Sequence, residues 1–234
     1  MKLLLVRHGQ SLANLAWELG EPIDHVDQPL SELGHVQAEA LASAFADGLL
    51  PIPNRLLSSL MVRAVQTAAP LAEACELEVE GRLDLFETGG VFRYGPRAER
   101  VREAIPGSGA AELRLLCPHL LLPSTLGDEG WYDRDLEPWV ESWRRAQALV
   151  GELVDEYRDT DEVIALVTHG LFTSLMIRVL LGWEPDLQAD RFQPYFINNN
   201  TGTTLVTIPG DEDDAVWLQW LNRTDHLRPD QMSY

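Results

Sequence analysis

Residues 3–6, Leu-Leu-Leu-Val, form a short apolar run that stops at Arg7, His8 and Gly9. A run of this length and character suits a strand buried on both faces of a parallel sheet. Residues 54–59 (NRLLSS) and 162–170 (EVIALVTHG) read the same way, and the second again ends in His-Gly. Between these runs the period lengthens to that of helices. Residues 29–48 place Leu33, Val36, Leu41 and Phe45 on one predicted helical face, with Ser31 as N-cap and Gly48 as stop. The pattern predicts further helices over about 61–74, over 137–159 with Trp139, Trp143, Leu149 and Leu153 at helical spacing, and over 171–182. Residues 201–208 and 215–221, joined by the acidic turn PGDEDD, predict a hairpin.

Strands alternating with helices predict a three-layer α/β/α sandwich around a mostly parallel sheet. In such folds ligands sit beyond the carboxyl ends of the strands. That rule singles out His8 and His169, the two strand-end histidines. From about 89 to 136 the periodicity fades among glycines, prolines and arginines. This stretch is expected to be an insertion, a partly helical lid on a single domain spanning 1–234. Internal repeats and low-complexity tracts are absent from the sequence.

Charge narrows the range of partners. A net charge of −19 over 234 residues would repel nucleic acid and anionic membrane. An anionic small molecule stays possible if cations are gathered in one pocket. Arginine must supply them, because Lys2 is the only lysine. Apolar runs are too short for a secretory leader or a membrane span, and Cys75 and Cys117 form no CxxC pair, so they read as free buried thiols. A soluble, cytoplasmic protein, monomer or homodimer, is the expectation.

The candidate chemistry lies at the strand ends: Arg7 and His8 after the first strand, Arg63 just after the second, His169 after a later one, and Glu87 in the loop LFETGG. Guanidinium forks bind phosphate oxygens bidentately and keep their charge. A neutral imidazole is a competent nucleophile towards phosphorus. A second imidazole, if protonated, adds a donor to the equatorial oxygens, and a carboxylic acid can protonate the leaving alkoxide. Taken singly, each of these residues has a bland structural reading; the conjunction is what counts.

The segments LVRHGQSLAN, PLSELGHVQA, SSLMVRAVQTA, LFETGG and LVTHG, in this order, resemble the histidine phosphatase superfamily, which includes cofactor-dependent phosphoglycerate mutases and many phosphatases. The resemblance implies that His8 is the nucleophile that becomes phosphohistidine and Glu87 the proton donor. It further implies that Arg7, Arg63 and His169 complete the phosphate pocket, with Asn14 helping to hold phosphate. Gln10, Ser11 and Gly170 stand where further donors could lie. No metal and no cofactor are implied, and His25, His35, His119 and His226 lack ligand-like neighbours apart from the stretch DHVD.

The family's mutases follow their acid with an Arg, a Tyr-Gly pair and a Gly-Leu-Asn-Lys-like stretch. Here Glu87 precedes Thr88, Gly89 and Gly90, and the Arg-Tyr-Gly at 93–95 has the wrong offset. The reading is therefore a phosphatase acting on a small phosphate monoester. A mutase-type phosphotransferase is the alternative, and a non-catalytic binding member a further one. Glu99 and Glu103 are the alternatives to Glu87 as acid. Substrate choice is expected from the insertion. There Arg93, Arg97, Arg100 and Arg102 form either a solvated helix face paired with Glu99 and Glu103 or an anion-attracting lid. Phe92, Trp131 and Tyr132 are either ring-stacking groups or local core.

Overall fold

The computed structural model describes residues 1–21, 27–94, 102–187, 196–211 and 214–234. His25, Arg97, Glu99 and Arg100 fall outside them. A seven-stranded sheet runs through the molecule in the order β6-β3-β2-β7-β1-β8-β9. Its central strand is β7 (Val163–Thr168), and β1 (Lys2–Arg7) lies between β7 and β8 (Thr203–Thr207). β1, β7, β2 (Arg55–Ser59), β3 (Val79–Arg82) and β6 (Leu120–Leu121) run parallel to one another. β8 and β9 (Trp217–Arg223) form the expected hairpin and add to β1 antiparallel.

Alternation along the buried strands builds two cores. Leu4, Val6, Leu56, Ala165 and Val167 face α2 (Glu32–Ala46) and α3 (Val62–Cys75). Leu3, Leu5, Leu57, Ile164 and Leu166 face α5 (Trp139–Tyr157) and α6 (Gly170–Leu180). The α/β/α sandwich is as expected. The helices also stand close to where periodicity puts them, and Ser31 caps α2 by accepting the Gly34 N–H at 3.1 Å. The buried face of α2 differs from the expectation, however. Leu41 and Phe45 are buried, but Val36 is exposed and Leu33 only partly covered. Gly34, Gln37 and Ala38 take the inner positions because the helix start lies directly on the loop after β1. Leu12–Leu19, not predicted, is a helix (α1) set by a capping box between Ser11 and Asn14.

The stretch from 89 to 136 divides in two. Two short strands, β4 (Phe92–Tyr94) and β5 (Arg102–Ala104), pair antiparallel in a separate two-stranded sheet. The remainder joins the main layers: α4 (Ala110–Leu116) contributes Leu113 to the core, and β6 extends the sheet beside β3. Trp131 and Tyr132 are buried against Phe86, so they are core and not stacking groups. Arg93 and Arg102, the two arginines of this group among the described residues, lie on strands and not on a helix face, and Arg93 pairs across the two strands with Glu103 at 2.6 Å, both exposed. Cys117 is buried, Cys75 only half-buried, and both thiols are free.

Candidate active site

Strand register assembles the site. β1 pairs with β7 so that Arg7 lies opposite Thr168, and the next residues, His8 and His169, emerge side by side. The His8 N–H donates to Thr168 O at 2.9 Å, and the two imidazole centroids are 5.1 Å apart. β2 pairs with β7 through Ser58 opposite Val167, which puts Ser59 and the start of α3, with Arg63, at the same level. A cavity of about 350 Å³ opens there, lined among others by Arg7, His8, Asn14, Arg63, Glu87 and Arg102.

Each ring nitrogen of His8 has an assigned role. Nδ1 lies 2.6 Å from the Gly9 carbonyl, which only accepts, so Nδ1 carries the proton. Nε2 is then the lone-pair nitrogen, and Arg63 donates its Nε–H to it at 3.0 Å. Burial, then the Arg63 and Arg7 charges, hold the His8 pKa well below the usual imidazole value. The ring is therefore neutral at physiological pH. Arg7 is drawn down to about 10 by burial, partly offset by Glu87, and stays a cation. It donates to Asn198 O at 2.5 Å, while its Nε, buried, has no partner among the described residues.

His169 could add a donor to the phosphate oxygens only if protonated. It is fully buried behind His8, not on the cavity wall. Burial and then Arg63, His8, Arg145 and Arg7 push its pKa well down, so it is neutral at physiological pH. Its Nε2 is 2.9 Å from Ser59 Oγ, and its Nδ1 has no partner among the described residues.

Glu87 is on the wall, and its carboxylate accepts backbone N–H bonds from Thr88 at 2.8 Å, Phe172 at 2.9 Å and Leu171 at 3.2 Å. The first turn of α6 thus belongs to Glu87. Gly170 is not on the wall either. It makes room for Arg7, whose Nε would be 3.3 Å from a Cβ at that position. Ser11 and Asn14 line the cavity but bond chiefly to one another: Ser11 donates its N–H and Oγ–H to Asn14 Oδ1 at 3.1 and 2.9 Å. Gln10 is turned away, its amide donating to Glu18 at 3.0 Å and accepting from Ser31 Oγ at 2.7 Å.

Several contributors carried no sequence signal strong enough to find them. Asp27 lines the cavity and caps α3 by accepting the Val62 N–H at 3.0 Å. Burial raises its carboxyl to about 6 against the pull of Arg63, the Val62 N–H and Trp131. Arg145 lies between the Phe86 and Phe172 rings, 3.6 and 4.0 Å from their centroids. It pairs with Glu137 at 2.6 Å and donates to Asp84 O and Phe86 O, so it fixes the segment leading into Glu87. Asn198 and Asn200 enter through a loop nearly two hundred residues from His8; only the polar run Asn198-Asn199-Asn200 hinted at them.

The comparisons agree with this architecture. A mycobacterial glucosyl-3-phosphoglycerate phosphatase is similar at 23% identity and a TM-score of 0.59, over 94% of this chain and 98% of that one. A phosphoserine phosphatase from Entamoeba histolytica in complex with 3-phosphoglyceric acid is similar at 23% identity and a TM-score of 0.59, over 97% and 99% of the two chains. A protein described as mycobacterial hydrolase 1 is similar at 22% identity and a TM-score of 0.60, over 95% and 98%. No curated protein sequence matches the chain. The sequence profile of the histidine phosphatase superfamily (branch 1) matches residues 3–221, and with that the chain belongs to this superfamily.

Proposed function

We propose that the protein hydrolyses a small phosphate monoester through a covalent phosphohistidine on His8. The observation that carries this reading is the pair of bonds on the His8 ring: Gly9 O takes the Nδ1 proton, which leaves the Nε2 lone pair directed at Arg63 and the cavity. An incoming phosphate draws the Arg63 guanidinium onto its own oxygens and frees that lone pair. Nε2 then forms a bond to phosphorus as the bond to the ester oxygen breaks. Glu87 gives the departing alkoxide its proton. In the second step a water attacks phosphorus, Glu87 recovers a proton from it, and the N–P bond breaks to release phosphate.

Arg7 and Arg63 supply fixed positive charge where the equatorial oxygens gather negative charge, without a metal ion. The phosphatases among the similar structures support hydrolysis over transfer, as does the residue pattern after Glu87. Arg102 supports a leaving group that is itself anionic. It lines the cavity mouth with its guanidinium over the Phe92 ring, near the Gly89 turn that follows Glu87. That is the side from which the alcohol departs. The reading is tested by trapping the intermediate: label from a phosphate ester should appear as acid-labile, base-stable phosphohistidine. It should vanish in His8→Ala, and label persisting in that variant would overturn the assignment.

A further inference from the structure

Behind the cavity lies a buried polar network that the proposed reaction does not use. Gln37, with no exposure, accepts the Gln10 N–H at 2.8 Å with Oε1. Its Nε2 donates to Gln231 O at 2.7 Å and to Ser233 Oγ at 2.9 Å. Ser233, 5% exposed, donates its hydroxyl to Asn200 Oδ1 at 2.9 Å, and its carbonyl accepts from Asn200 N and Asn199 Nδ2. Asn200, also fully buried, donates to His8 O at 3.1 Å and to Asn14 Oδ1 at 3.4 Å. Two routes therefore run from residues 231–233 to the backbone of the nucleophile's loop. One passes through Gln37 to the Gln10 N–H, the other through Asn200 to the His8 carbonyl.

A glycine pair permits this. A Cβ on Gly34 would lie 2.1 Å from Gln10 O, and one on Gly9 would lie 2.6 Å from Gly34 O. The start of α2 can rest on the loop only because both positions lack side chains, and this brings Gln37 within reach. The segment itself has little apolar anchorage: Met232 is 41% exposed and Tyr234 58%. Its docking depends on the same bonds that fix the loop.

Resting on the phosphatase reading, we propose that residues 231–233, through Gln37 and Asn200, are a positioning latch for the His8 loop. Order in this segment and occupancy of the phosphate pocket are then coupled. The segment is a weakly held unit, of the kind that opens locally before the whole protein does. Its opening frees Gln37 and Asn200, the groups that hold the Gln10 N–H and, beside the Thr201 N–H at 3.3 Å, the His8 carbonyl, and the loop loses part of the support that presents His8, Ser11 and Asn14 to phosphate. Coupling between two sites is reciprocal, so phosphate must tighten the latch by the factor with which the latch tightens phosphate.

Orthovanadate binding and amide hydrogen exchange test this in the full chain. Ser233→Ala should weaken orthovanadate binding and raise KM about tenfold, within the usual range of coupling between sites. Orthovanadate should in turn slow exchange at the Gln10 and Asn200 amides of the wild-type protein. Unchanged vanadate affinity in Ser233→Ala, at a temperature where circular dichroism shows both proteins folded, would overturn the latch. So would exchange at those amides that ignores vanadate, which decides the matter even if the variant fails to fold. Wild-type protein that binds no vanadate would remove the phosphatase reading and the latch with it, whereas binding insensitive to Ser233 removes the latch alone.

Discussion

Arg63 donates its Nε–H to His8 Nε2 at 3.0 Å, so a charge donor occupies the lone pair that must attack phosphorus. The contact keeps the imidazole neutral and oriented, at the cost of blocking it. Arg63 should therefore have two effects when removed. Arg63→Ala loses a preorganised charge donor, which lowers kcat by roughly 10²–10³. It also lifts one of the charges that depress the His8 pKa, so His8 should titrate at higher pH in the variant. Imidazole resonances followed by NMR would show this. A rate loss below tenfold, or an unmoved His8 titration, would place Arg63 outside the reaction.

Glu87 accepts three backbone N–H bonds, and glutamine can satisfy only part of that set, since its amide nitrogen donates. Glu87→Gln thus disturbs placement a little and removes the transferable proton entirely. The comparison that isolates the proton is between substrates in one variant. Phosphohistidine formation from an alkyl phosphate should fall by roughly 10²–10⁴, and from p-nitrophenyl phosphate far less, because nitrophenolate leaves without help. Equal losses would reduce Glu87 to a positioning role.

Arg102 faces the cavity mouth beside the Glu87 turn, whereas Arg93 is committed to Glu103. Arg102→Ala should raise KM about tenfold for phosphoglycolate, whose alcohol part carries a carboxylate, on the scale of a lost charge-assisted bond. Ethyl phosphate, with a neutral alcohol part, should be hydrolysed as before. The same change on both esters would show that Arg102 does not read the leaving group.

Stability should fall as pH drops from neutral to about 5. His8 and His169 have pKa values well below the usual 6.5, and burial draws His226 to about 4. Below pH 6.5 the unfolded chain therefore binds protons that the folded chain refuses. Asp27 works in the other sense: raised from 3.8 to about 6, it holds a proton in the folded state that the unfolded chain has released. Three imidazoles act against one carboxyl, so unfolding takes up protons over this range and stability falls as the pH does. Thermal melts from pH 7.5 to 5 should show a falling midpoint, and a flat or rising one would mean that these imidazoles are charged in the fold.

By itself the sequence determined the layers and the two strand ends that meet beside the cavity. Buried strands must be apolar throughout, so residues 3–6 and 163–167 announced themselves, and a charge at the end of such a run must have a purpose. Helices α2, α3, α5 and α6 were legible because one face of each is apolar at helical spacing. Arg7, His8, Arg63 and Glu87 were found because each lies close to a strand end or in a recognisable motif, and local order puts them near one edge of the sheet.

What only the tertiary structure decided depends on contacts between residues distant in the chain. Val36 looks like core by spacing, yet the inner face of α2 is set by a glycine contact with the loop after β1. β6 is two residues long and becomes a strand only because β3 offers an edge. The state of His169 follows from its depth and from the cations around it, neither of which a histidine's position in a sequence records. Asp27, Arg145, Asn198 and Asn200 are polar residues of ordinary appearance. Their importance comes from what the fold brings beside them: the start of α3, the carbonyl of Phe86, the Arg7 guanidinium and the His8 backbone. Hydrogen bonds across such distances leave no periodicity in the chain, because either partner alone is a polar residue that water would satisfy equally well.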